Sequence, residues 1–349
     1  MTALIDSSNR PWKVRDKSYQ AQQLLVHAGT PLAAVAVVAL TGIKGMSGLF
    51  FTWLFLHLIT GALLARFGKR RYSIANSSLQ VLMVACITVF VTAALSVLIP
   101  VFVKGISAFS SNLLCQDAAL VEPGAELTTG GILHALIGSI IIVSIAPVIS
   151  IPVGILAALY VTEVRGKLTP YVRFFVQAMS GVPSIVAGLF VYAAFIVTGI
   201  LPYSGLSGAI ALSILMLPTV ARTAEEVLLL VPDDLRTAAL ALGSTQRRVV
   251  RMIVLPSAGA GLVTAAILGV ARVAGETAPL LLTAFGSVSI NLNPAAEPMS
   301  ALPLFIFTQM LLGEDNDVAR AWFACMVLLT FVTVLFGVAR LGLSRRKMG

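Results

Sequence analysis

Charge is scarce in this sequence. Asp, Glu, Lys and Arg make up 11% of its 349 residues, against roughly 25% in a soluble globular domain. There are three cysteines, and no CxxC spacing points to a zinc site or a disulfide framework. The histidines His27, His57 and His134 are scattered at or near the ends of apolar runs, and nothing in their spacing suggests a metal. No GxxxxGK[ST] run occurs, which excludes cradling of nucleotide phosphates by a Walker A loop. Any ATP-derived energy must come from another polypeptide.

What is abundant is apolar. Hydrophobic residues are 58% of the chain and its mean hydropathy is +0.96. A soluble globule cannot hide that much apolar surface, because much of any globule faces water. The sequence therefore reads as an all-α integral membrane protein. Cys86 and Cys325 lie in apolar runs and are expected as small core residues. Residues 1–23 are polar, with spread basic residues and no apolar stretch directly behind them, and read as a cytoplasmic tail with no cleavable signal.

A helix crossing about 30 Å of hydrocarbon needs about 20 mostly apolar residues. Candidate spans are 24–43, 48–65, 79–103, 132–161, 174–200, 206–221, 258–285 and 321–341, about eight in all. The first two form a tight hairpin around "KGMSG", and Pro218 is expected to bend the sixth. With the N-terminus inside, the cytoplasmic segments hold "RPWKVRDK", "RFGKRRY", "EVRGKLTPYVR", "LRTAALALGSTQRRVVR" and "RLGLSRRKMG". The outer segments hold only Lys44, Lys104 and Arg320, beside the acidic clusters Asp117/Glu122/Glu126 and Glu314/Asp315/Asp317. This asymmetry places both termini in the cytoplasm. The net charge of +9 is accounted for by topology, and no nucleic-acid partner is expected.

The most informative cytoplasmic loop is "VPDDLRTAALALGSTQRRVVRMIVLP", residues 231–256. Asp233 and Asp234 suit the first turn of a helix, where the macrodipole favours acids. "LRTAALAL" is a run of good helix formers, and Gly243 permits a sharp turn after it. A second, basic helix is expected to stop at Pro256. Taken alone, the pattern is either a docking knob for a soluble partner or a solvated connector.

The same residues resemble the EAA signature of ABC-importer permeases, EAA-x3-G-x9-I-x-L-P. Ala238, Ala239, Gly243, Ile253, Leu255 and Pro256 match at full spacing, while Thr237 stands where the signature usually has Glu. "SGVPSIVAGLFVY", "LPTVARTAEEVLLLVPDDLR" and "ARVAGETAPLLLTAF" narrow the resemblance to the PstA family, the permease subunits of phosphate ABC importers. It covers residues 79–346, and implies a six-helix type I permease core. Residues 24–78 then form an extra N-terminal hairpin and basic linker outside the family pattern.

The resemblance implies that loop 231–256 is the coupling helix seating in a groove of the ATPase, with Arg236, Thr237, Ala238, Ala239, Gly243, Ile253, Leu255 and Pro256 as coupling residues. It implies as partners a second permease PstC, two copies of the ATPase PstB, a binding protein PstS, inorganic phosphate and membrane lipid, in the bacterial inner membrane. ATP and Mg would sit on the partner, leaving this chain without a cofactor and without catalysis of its own.

Within "ILGVARVAGETAPLLLTAF" stand two charges, Arg272 and Glu276. An arginine at membrane depth costs at least about 2.5–3.5 kcal/mol, so such residues usually face a cavity or a partner. Spaced four apart on a helix, they share a face. They either neutralise one another and fix packing, or line a path in which the planar Arg fork takes an oxyanion. The resemblance favours the path, with Arg272, Glu276 and Thr277 on it. Gly181, Pro183, Gly188 and Gly275 are expected to allow close helix approach or local unwinding. Arg222, Glu225 and Glu226 read as an interface cluster at a cytoplasmic helix end. An Arg fork does not separate phosphate from sulfate or molybdate, and a stand-alone secondary transporter would leave the coupling loop unexplained.

Overall fold

The structure, a computed structural model, describes residues 29–40, 46–67, 74–119 and 121–346. Its helices are α1 (Gly29–Leu40), α2 (Met46–Phe67), α3 (Ile74–Ser107), α4 (Ser111–Cys115), α5 (Leu133–Leu159), α6 (Thr169–Ser180) and α7 (Ser184–Val191). They continue with α8 (Gly205–Leu229), α9 (Asp233–Ala241), α10 (Gln246–Val249), α11 (Leu255–Ala274), α12 (Ala278–Thr283), α13 (Leu302–Leu312) and α14 (Asp315–Arg346). Wider π-helical turns follow α5, α7 and α10, at Tyr160–Val164, Tyr192–Ile196 and Val250–Val254. The fold is all-α, as expected.

The chain divides into two units, residues 1–98 and 99–349. In the first, the Thr30 hydroxyl lies 3.0 Å from Nδ1 of His57, joining α1 to α2, and the His57 ring stacks on Trp53. The two N-terminal runs are thus paired helices. Their described apolar lengths, Gly29–Leu40 and Gly48–His57, are too short to count as spans, while residues 24–28 and 41–45 lie outside the described residues. Among the described residues, five helices are long and apolar enough to cross a bilayer, or six if one bent pair counts as a span. Cys86, expected in a core, is exposed on α3.

The second unit is organised around α8, whose apolar window is 67% buried, against 28% or less for the other spans. Small residues let it approach its neighbours. A side chain at Gly154 of α5 would meet Val220 at 3.0 Å, and one at Gly269 of α11 would meet the same residue at 2.7 Å. Ser213 donates across the α5–α8 seam to the carbonyl of Ala146. Ile142, Leu212, Met216, Val273, Leu280 and Met299 fill the centre. The sixth expected span does not end at Ala221. Helix α8 continues through Pro218 to Leu229, carrying Arg222, Glu225 and Glu226 as a further helical stretch.

Two expected spans are interrupted. The run 174–200 is split into α6 and the α7 segment, which meet at 105°. Pro183 adopts φ −58°, ψ 141° at the break: its ring fixes φ and removes a donor, and it biases Val182 away from helix. The run 258–285 ends as a helix at Ala274, and a separate α12 begins at Ala278. In the opposite sense, Pro256 does not stop a helix. The helix Gln246–Ala274 is continuous, and the π-helical turn at Val250–Val254, in which the Leu255 N–H reaches the Val250 carbonyl, widens the backbone just before the proline ring.

At the end where α13 and α14 meet, Arg320 is a structural residue. Its side chain is 2% exposed, it pairs with Asp317 at 3.0 Å, and it donates to the carbonyls of Glu126 and Thr129. Asp317 also accepts from the backbone N–H of Gly124. A charge expected on an outer flank instead ties the loop before α5 to the start of α14.

The two interrupted helices cross where Gly188 faces Pro279, and a β-carbon at Gly188 would lie 2.6 Å from the Pro279 Cα. Gly188→Val should therefore destabilise the protein by about 1–3 kcal/mol, the usual cost of overpacking, read as earlier thermal unfolding in detergent. Gly259→Ala, where nothing lies within 4 Å, should unfold no earlier than the parent.

Candidate coupling loop and transport path

Helix α9 begins after Pro232, with Asp233 and Asp234 in its first turn, where the macrodipole favours them. It ends in the left-handed turn that Gly243 makes possible, at φ +80°. There the N–H of Gly243 donates to the Leu240 carbonyl at 2.9 Å, and that of Ser244 to the Ala239 carbonyl at 3.1 Å. No atom lies within 4 Å of where a Gly243 side chain would begin. Glycine is needed here for its backbone freedom alone.

The helix is seated on one side and exposed along the rest. Ala239 is buried in an apolar cluster with Leu228, Val231, Val249, Val254 and Ala258; Ile253 and Leu255 pack against the same cluster. Leu235, Leu240 and Leu242 are exposed, Leu242 at 88%. Ala238 and Pro256 are also exposed. The Thr237 hydroxyl folds back onto its own helix, donating to the carbonyls of Asp233 and Asp234.

Arg236 is the polar centre of the loop. Its Nη2 lies 2.8 Å from Oε1 of Glu163, at the end of α5, with side-chain exposures of 12% and 2%. Nε adds contacts at 3.2 and 3.3 Å to both carboxylate oxygens. The remaining donors reach the carbonyls of Leu228, in the last turn of α8, and Val231, past its end, and the carboxylate of Asp233. The hydrogen bond to Glu163 leads the causes that raise the Arg236 pKa above its ordinary value, so the guanidinium stays charged at any physiological pH. The family resemblance points to Arg236 but not to Glu163, which stands in "EVRGKLTPYVR" as one acid among basic residues. Its burial is visible only once α5 and α9 are placed side by side.

Arg272 and Glu276 do not share a helical face. Helix α11 ends at Ala274, and Gly275 turns to φ −104°, ψ 5°, so Glu276 no longer sits one turn above Arg272. Among the described residues the ion pairs are Arg173–Glu225, Arg236–Glu163, Arg236–Asp233 and Arg320–Asp317. Arg272 is instead exposed and donates to the hydroxyl of Thr219 on α8 at 2.9 Å, a partner for which the sequence carries no signal. Glu276 is half-buried. Thr277 caps α12 through its carbonyl, which accepts from Leu280 and Leu281. A groove of about 270 Å³ between α11 and α14 is lined by apolar residues, among them Ile267, Val270 and Phe336, and offers no donor to an anion. Of the cluster Arg222, Glu225 and Glu226, Glu225 pairs with Arg173 of α6 at 2.8 Å.

The profile of the family described as binding-protein-dependent transport system inner membrane component matches residues 150–346. That stretch holds α9 with its glycine turn, Glu163, Arg236 and Arg272. The chain is 40% identical over 211 residues to "Phosphate transport system permease protein PstA 1" of Mycobacterium tuberculosis, covering 60% of this chain and 69% of that relative. It is 38% identical over 249 residues to "Phosphate transport system permease protein PstA" of Pasteurella multocida, covering 70% and 86%. Among solved structures, a chain of the inward-facing MetNI methionine ABC transporter aligns at 22% identity and TM-score 0.49, over 62% of this chain and 94% of that one. With more than half of its length matched by that profile, and relatives covered over most of theirs, this multi-pass chain belongs to the inner-membrane components of binding-protein-dependent transport systems.

Proposed function

We propose that this chain is a permease subunit of an ATP-driven phosphate importer, forming half of the translocation path and docking an ATPase through loop 231–256. The observation that carries the docking role is the exposure of three leucines on and just after α9. Arg236 and Ala239 anchor the helix, while Leu235 and Leu240 at the flanks of the seated side, and Leu242 just past the helix end, stay exposed; leucines so exposed beside an anchored helix suit a partner's groove. Phosphate as cargo rests on the names of the relatives. The partners in this reading are PstC as second permease, two copies of PstB and the binding protein PstS. ATP and Mg belong to PstB, and the chain performs no catalysis itself. Both termini lie in the cytoplasm, as the Lys and Arg asymmetry requires.

In this reading, closure of the ATPase pair on ATP moves the coupling loops, and the spans open toward the loaded binding protein. Arg272 suits the path. It is exposed on the single chain, whereas a charge at membrane depth must face a cavity or a partner. An interface with the second permease supplies both. Thr219 holds one edge of the guanidinium and leaves its other donors for an oxyanion. Glu276, unpaired with Arg272, would repel an anion that lingers.

Gly243→Val forces a β-branched residue into the left-handed region, at about 1–3 kcal/mol. Purified with its partners, that variant should bring down less ATPase and show proportionally lower uptake; normal uptake at normal protein level would refute the coupling role. Arg272→Gln should abolish phosphate uptake per assembled complex while assembly persists. Arg272→Gln with Glu276→Gln should not restore uptake, because the two side chains form no pair. Uptake by either variant at the parental rate would remove Arg272 from the path.

A further inference from the structure

The end of α5 buries an acid that the transport reading does not use. Glu163 lies within the π-helical turn Tyr160–Val164, which brings its side chain to 2% exposure while Val164 and Arg165 on either side of the next bond are exposed. Arg165 closes the turn in the left-handed region at φ +49°, and spends its Nε on the Thr162 carbonyl. The nearest cation in sequence is therefore not the partner of Glu163. Its partner is Arg236, 73 residues away.

A buried carboxylate is retained only where donors replace its water. Here the replacement comes from the coupling loop, and from both of its limbs. Arg236 of α9 holds the side chain, and Gln246 of α10 donates to the Glu163 backbone carbonyl at 3.3 Å. The same guanidinium also donates to the carbonyls of Leu228 and Val231 at the end of α8. Beneath these bonds, the loop also rests on the apolar cluster of Ala239, Val249 and Val254. Apolar packing is non-directional and tolerates sliding, whereas a forked guanidinium–carboxylate contact has a fixed geometry. The apolar seat keeps the loop docked, and the polar tie sets the direction in which its movement is passed on.

We infer that Glu163 is the positioning residue through which displacement of the coupling loop reaches α5, with Arg236 as its link. This rests on the reading of loop 231–256 as the ATPase dock. Glu163 takes no part in binding phosphate or ATP. It converts a push on α9 into movement of the end of α5, and α5 is packed along α8 beside the Thr219–Arg272 contact.

The test uses the whole complex, reconstituted in vesicles with its ATPase and binding protein, with phosphate uptake and ATP hydrolysis measured on the same preparation. Glu163→Gln, Glu163→Asp and Arg236→Lys are compared with the parent. Each should assemble and hydrolyse ATP, while phosphate moved per ATP falls by about tenfold for Glu163→Gln, in the range of couplings between separate sites, and by less for the two charge-preserving variants. Parental phosphate-to-ATP ratios in Glu163→Gln and Arg236→Lys would overturn the inference. So would uptake that falls only in step with assembled complex, or loss of assembly in all three variants, since either makes the pair a packing element. If the parent chain itself brings down no ATPase, the docking reading fails instead, and the two failures are distinguishable.

Discussion

The guanidinium of Arg236 decides where loop 231–256 sits. It bonds a buried carboxylate at the end of α5, carbonyls in and just past the last turn of α8 and the first acid of α9. Without it, the buried Glu163 carboxylate would lose its cationic partner. Buried pairs of this kind add little net stability, because desolvation offsets their attraction, but removing one partner costs about 3–5 kcal/mol. Its consequence is geometric. The seated side of α9 is determined, and Leu235 and Leu242 are left exposed beside it.

The region around Arg272 has a different physical basis, which is interruption. Helices α7 and α12 are short pieces set off by Pro183 and by the Gly275–Thr277 break, and they cross where Gly188 admits the backbone of Pro279. Irregular backbone at membrane depth is tolerated only where protein or a polar cavity covers it. Helix α8, the most buried span, lies against both pieces and against α11, and so brings Thr219 to Arg272. The charges in the apolar region are thus treated unequally. Arg320 is fully enclosed and paired, whereas Arg272 has one neutral partner and stays open.

Much of loop 231–256 is legible in the amino-acid sequence. The helix, the glycine turn and the apolar run into the next span follow from propensity, from the φ that Gly243 alone adopts freely, and from the spacing of Ala239, Ile253 and Leu255. The span count is less so. A window of apolar residues does not register the angle at which two helices meet, and 174–200 contains a 105° corner. Pro256 and Pro183 show why a single residue type misleads: one proline sits in a continuous helix just after a π-helical turn, the other at a corner with extended backbone.

By itself, the sequence determined that the chain lives in a bilayer, that it is helical, that it carries no nucleotide loop of its own, and that residues 231–256 form a helix–turn–helix unit. These follow from composition and from interactions within a few residues. Only the tertiary structure decided which charges meet. The expected Arg272–Glu276 pair is not formed, because a helix break at Gly275 removes the shared face. Arg272 finds Thr219 across 53 residues and Arg236 finds Glu163 across 73. Such pairings depend on how α5, α8 and α11 pack, and that packing is set by small residues whose significance lies in what approaches them from another part of the chain.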